Sequence, residues 1–159
     1  MDDFLPIKED LALIRTEKMT FKQYNSIHSY PVYNVQSFFN AINKLTYERV
    51  LIGGEVNNSF YNEEEVNFNF ESKKTFSLNK SKKYLELIFN KNDFIKEFDL
   101  INQIYLLTEI NDFFFLVLNP IKGKKYYDVL SEKVSVEIDG EHERILWFEY
   151  DATDIYVAS

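Results

Sequence analysis

The sequence predicts an α+β fold, a mainly antiparallel β-sheet built from hairpins with two or three helices. Three observations lead there. Apolar residues recur at period two, as in Val66, Phe68 and Phe70 interleaved with Asn67 and Asn69. Helical spacing is confined to short stretches, the clearest being Val35, Phe38, Phe39, Ile42 and Leu45. Strands do not alternate with helices, which argues against a parallel doubly wound sheet and so against the usual home of nucleotide cofactors.

Taken in order, Pro6 to about Lys18 fits a helix, with Leu11, Ile14 and Arg15 on adjacent turns. It fits a strand equally, through Leu11 and Leu13. Tyr30 precedes Pro31 and is therefore extended. Asn34 is a good N-cap for the helix that follows. Val50–Val56 reads as a strand, and Gly53-Gly54 inside it predicts a bulge or a close backbone approach. Thr75–Leu78 and Tyr84–Phe89 continue an antiparallel meander. A short helix from Asn92 or Asp93 to about Asn102 places Phe94, Phe98 and Ile101 on one face. Ile104–Ile110 and Phe113–Asn119 form a hairpin about Asn111-Asp112, closed by Pro120. Tyr126–Ser131 reads as one more helical turn.

The last hairpin can be argued to its register. A two-residue turn at Asp139-Gly140 would set Val136 opposite Glu143 and Ile138 opposite Glu141. A four-residue loop, Asp139–His142, pairs Val136 with Ile145, Val134 with Trp147 and Glu137 with Arg144 instead. The second register makes one face apolar and the exposed pair opposite in charge, and is preferred. It buries Trp147. Ile155–Val157 adds a final short strand.

At 159 residues, without internal repeats or Gly/Ser/Pro-rich linkers, residues 1–159 read as a single domain. There is no cysteine, which excludes disulfides, thiolate-bound metals and thiol catalysis and fits a reducing, cytoplasmic setting. No signal peptide is legible, because Asp2, Asp3, Lys8, Glu9 and Asp10 interrupt the N-terminal stretch. The longest apolar run, Phe113–Leu118, is far too short for a membrane helix, so no membrane partner is expected. Net charge is −8, which disfavours general nucleic-acid binding and suits a basic partner.

Motifs for chemistry are missing. Four glycines, at 53, 54, 123 and 140, cannot form a phosphate-binding loop. His28 and His142 lack the spaced partners of a metal site, and no serine sits in a nucleophile elbow. No cofactor is expected. The acidic groups Glu63-Glu64-Glu65 and Asp139, Glu141, Glu143 read as solvated loops rather than as catalytic carboxylate pairs or an EF-hand. Lys73, Lys74, Lys80, Lys82 and Lys83, and then Lys122, Lys124 and Lys125, fall at turns and edges, where lysine discourages edge-to-edge pairing.

A small, acidic, cysteine-free α+β chain rich in Tyr and Asn resembles the immunity proteins of bacterial toxin systems, including contact-dependent inhibition. The resemblance extends over the whole chain as a matter of size, charge and composition. It implies a cytoplasmic, non-enzymatic protein that binds a cognate toxin domain, often a basic nuclease, and blocks it. A phage-encoded or chromosomal inhibitor or adaptor with another protein target, an enzyme of an unfamiliar family, and a homo-oligomeric subunit stand as alternatives. For the binding reading, the expected contact residues are Tyr61, Glu63, Glu64 and Glu65 in one loop. Asp139, Glu141 and Glu143 form the other, with Tyr156 nearby. Carboxylates would steer a basic partner, and tyrosines would anchor it.

Overall fold

Phe113–Leu118, six apolar residues in a row, is buried along its whole length. A strand with both faces covered needs such a run, and the layers around this strand supply the cover. The computed structural model describes residues 5–6, 17–57, 71–96, 102, 113–148 and 154–159. In chain order the elements are β1 (Leu5–Pro6), β2 (Met19–Gln23), β3 (Ile27–Pro31), α1 (Val35–Asn43), β4 (Arg49–Asn57), β5 (Ser72–Ser77) and β6 (Lys82–Asn90). They continue as α2 (Lys91–Phe94), β7 (Phe113–Leu118), β8 (Tyr127–Asp128), β9 (Lys133–Glu137), β10 (Arg144–Phe148) and β11 (Asp154–Ala158).

Eight strands form one antiparallel sheet in the order β1-β3-β11-β10-β7-β4-β6-β5. Three form a smaller sheet, β2-β9-β8, in which β2 and β9 are parallel. The molecule is therefore mainly antiparallel, with helices, as predicted.

One face of the large sheet carries the helices. Val50, Ile52, Leu87, Phe89, Leu116, Leu118, Leu146 and Phe148 pack there with Phe38, Phe39 and Ile42 of α1 and Phe94 of α2. The predicted N-cap is present. Asn34 accepts from the Ser37 amide at 2.9 Å, and Ser37 Oγ accepts from the Asn34 amide at 3.1 Å, so serine takes the place glutamate usually has in a capping box. Asn90 caps the single turn of α2 through its side chain alone, which accepts from the Asp93 amide at 2.9 Å.

The other face carries the small sheet. Leu51, Phe115, Val117, Ile145 and Trp147 meet Met19, Val134 and Val136 across this second core. Gly53 and Gly54 run through β4 in unbroken register with both neighbours, so they make no bulge. They serve close approach instead. A Cβ on Gly53 would strike the Phe115 ring and lie 2.8 Å from the Tyr84 hydroxyl, and one on Gly54 would strike Phe114 and lie 2.8 Å from the Phe113 carbonyl.

Two expectations are corrected. β9 and β10 are not hairpin partners: β9 pairs with β2 and β8, and β10 lies between β7 and β11. Val134, Val136, Ile145 and Trp147 do share a core, but across layers rather than along a ladder. Period-two alternation fixes which face a strand buries, and two inward faces can meet through stacking as well as through pairing. Arg144 accordingly donates to the carbonyls of Glu141 and Glu143, at 3.0 and 2.8 Å, and not to Glu137. Tyr126–Ser131 is not helical. Tyr127–Asp128 is a strand, followed by a turn in which Glu132 takes φ 55° and donates its amide to Asp128 O at 2.7 Å. The expected strands at 66–70 and 104–110, the N-terminal segment up to residue 16 and the helix beyond 96 up to 101 lie outside the described residues, except for β1.

Candidate functional site

Among the described residues two glutamates are buried, and both fasten the small-sheet side to the large sheet. Glu55 on β4 is 5% exposed. It pairs with Lys18, just before β2, at 2.7 Å and accepts the Tyr127 hydroxyl from β8. Glu143, just before β10, is 1% exposed. It takes Lys124 Nζ at 3.0 and 3.1 Å, the Asp139 amide at 2.9 Å and the Tyr126 hydroxyl. Tyr126 and Tyr127 are consecutive, so one peptide unit spans the two clusters. Burying a carboxylate is tolerable only when it is paired and hydrogen-bonded, as both are here.

The tyrosines respond to the same environment. Burial, and then the bond to Glu143, raises the Tyr126 phenol. Burial, and then Glu55, raises Tyr127. Burial, and then Glu86, raises Tyr84, whose hydroxyl donates to Glu86 at 2.7 Å. Tyr84 and Tyr127 stack with ring centroids 4.1 Å apart and planes 3° from parallel. Every polar end in this cluster is satisfied, so Glu55 and Glu143 hold structure rather than await a substrate.

Among the described residues, two depressions lie beside the clusters. The larger is a cleft of about 460 Å³ between strands β4, β5 and β6 of the large sheet and the 120–126 loop. Leu51 and Ile88 contribute apolar floor, and Arg49, Lys74, Glu86 and Lys122 contribute charge. The smaller is a notch of about 250 Å³, where Gln23, Tyr24 and Asn25 meet the Ile138–Glu141 loop. Tyr24 is 36% exposed there. Among the described residues, no group of three or more His, Cys, Asp or Glu side chains could hold a metal ion.

The expected contact residues divide. Tyr61, Glu63, Glu64 and Glu65 lie outside the described residues. Asp139 and Glu141 sit at the exposed loop, as expected, and both line the notch. Glu143 departs from the expectation. It turns inward because Lys124, Tyr126 and the Asp139 amide together replace its water. Tyr156 is half-buried and stacks on Trp147 at 5.8 Å, which makes it part of the packing between layers. Sequence reasoning missed Glu55, Lys18 and Tyr24. A charged residue inside the apolar pattern of β4 was the available signal for Glu55. His28 lies on β3 opposite Val157 of β11, and His142 is exposed at the loop.

The chain is 32% identical over 124 residues to the uncharacterized protein YxiK of Bacillus subtilis (strain 168). The alignment spans 78% of this chain and 76% of YxiK. No protein-family model and no solved structure matches.

Proposed function

We propose, for a chain that belongs to the family of Bacillus subtilis YxiK, a function in binding rather than in catalysis. The protein seizes a basic protein partner and blocks it, as an immunity protein blocks its toxin domain. One observation carries this reading: the notch where exposed Tyr24 stands beside Asp139 and Glu141. Carboxylates at the rim raise the encounter rate with a cationic surface, and a tyrosine beside a pocket is a common anchor. Asp139 is bridged to Lys124 at 2.9 Å, which holds the loop in place before a partner arrives. Such preorganisation lowers the ordering cost of binding.

The test is co-expression with the product of the adjacent gene, followed by purification of the complex and a toxicity assay. Protection of the host by this protein is the expected result. Charge reversal at Asp139 and Glu141 should slow association, more at low salt than at high salt. Tyr24→Ala should speed dissociation. A complex whose rates ignore all three changes would remove the notch from the interface, and turnover of a substrate by the purified protein alone would overturn the binding reading.

A further inference from the structure

We propose that the cleft beside the 120–126 loop is a second binding site, independent of the notch, and that it takes an acidic peptide segment of a protein partner. The two basic stretches of the sequence, around Lys74 and around Lys122, are remote along the chain and converge on this one cleft. Its other cations are spoken for. Arg49 pairs with Glu71 at 3.0 Å, and Lys124 is held by Asp139 and Glu143. Lys74 and Lys122 are exposed and, among the described residues, their side chains make no ion pair or hydrogen bond. Among the described residues the cleft thus presents two unpaired ammonium groups over an apolar floor.

Three features select a peptide over a nucleic acid. Glu71 and Glu86 line the same cleft and would repel a run of phosphates, whereas a peptide backbone brings N–H donors that carboxylates accept. Leu51, Ile88 and the exposed Ile121 offer apolar contact to side chains between the acidic ones. The volume, about 460 Å³, suits a few side chains. Lysines that otherwise read as edge protection thereby gain a role in recognition.

The experiment uses the full chain and a fluorescein-labelled peptide of alternating Glu and Leu, followed by anisotropy. A Lys/Leu peptide and a single-stranded DNA oligonucleotide of equal length serve as the other probes. The acidic peptide should bind best. The Lys74→Glu, Lys122→Glu double variant should weaken it roughly tenfold, as the loss and reversal of two exposed charge contacts implies. Lys82→Glu, at the exposed start of β6 and outside the cleft, should leave affinity unchanged. Circular dichroism of the double variant should match the parent, and Lys74→Gln, Lys122→Gln should weaken binding less while keeping the fold. Equal loss with Lys82→Glu, stronger binding by the basic peptide or by DNA, or no binding of the acidic peptide would each overturn the proposal. Loss of notch binding leaves this result untouched, so the two sites fail separately.

Discussion

At the scale of single residues, Glu143 and Glu71 make the instructive contrast. Both are carboxylates facing a cation at 3.0 Å. Glu143 is almost wholly buried, and Arg49 and Glu71 are 39% and 40% exposed. Burial, not distance, decides their worth. Glu143→Gln leaves Lys124 with a diminished partner in a water-poor site and should cost about 3 kcal/mol, at the lower end for a broken buried pair because Asp139 remains. Glu71→Gln should change stability by less than about 1 kcal/mol. Urea denaturation midpoints measure both, and equal effects would show that the Glu143 cluster is not the anchor its geometry makes it. Glu143 was legible in the sequence only as an acid in a loop. Nothing local reveals that a lysine nineteen positions back folds over it.

Elements were more legible where one periodicity has one consequence. The helix from Asn34, strands β4, β6 and β7, and the last strand follow from local pattern and capping chemistry. Asn34→Ala should cost about 1 kcal/mol by removing the cap. The failed hairpin between β9 and β10 marks the limit, because alternation records burial and not the identity of the neighbour. Gly54 offers the sharpest test at this scale. A methyl group there meets the Phe114 ring and the Phe113 backbone carbonyl, and backbone cannot rotate away. Gly54→Ala should therefore destabilise by roughly 2–3 kcal/mol through overpacking, against the usual gain when alanine replaces a glycine in open structure. A midpoint at or above that of the parent would mean that β4 and β7 are not in contact at this register.

For the molecule as a whole, the three layers were only half visible in the sequence. Apolar patterning announces strands, but the presence of two cores follows from sheet order, which depends on pairings remote in sequence such as β10 with β7. Both cores hold buried tyrosine hydroxyls, Tyr47 in the first and Tyr84, Tyr126 and Tyr127 in the second, and this makes alkaline pH the natural probe of the assembly. Tyr47 is raised to about 12 by burial, and Tyr84, Tyr126 and Tyr127 are raised by burial and by their carboxylate partners. Below about pH 10 these phenols are neutral in both folded and unfolded chains, so their contribution is fully present. Above it, the unfolded chain releases protons that the folded chain keeps, and stability falls as pH rises. Each such group contributes a slope of about 1.4 kcal/mol per pH unit, and four together about 5 kcal/mol per unit. A typical domain has roughly 5–15 kcal/mol in total, so cooperative unfolding is expected near pH 11–12. Tyrosinate absorbance from these four residues should rise with the loss of circular dichroism, and with a red shift of Trp147, which is fully buried in the native state. Tyr84→Phe removes one of the four ionisations and should make the alkaline decline shallower, even where it lowers stability at neutral pH by breaking the bond to Glu86. Full ionisation of all eleven tyrosines in a chain that keeps its native fluorescence would show that these phenols are not held by burial.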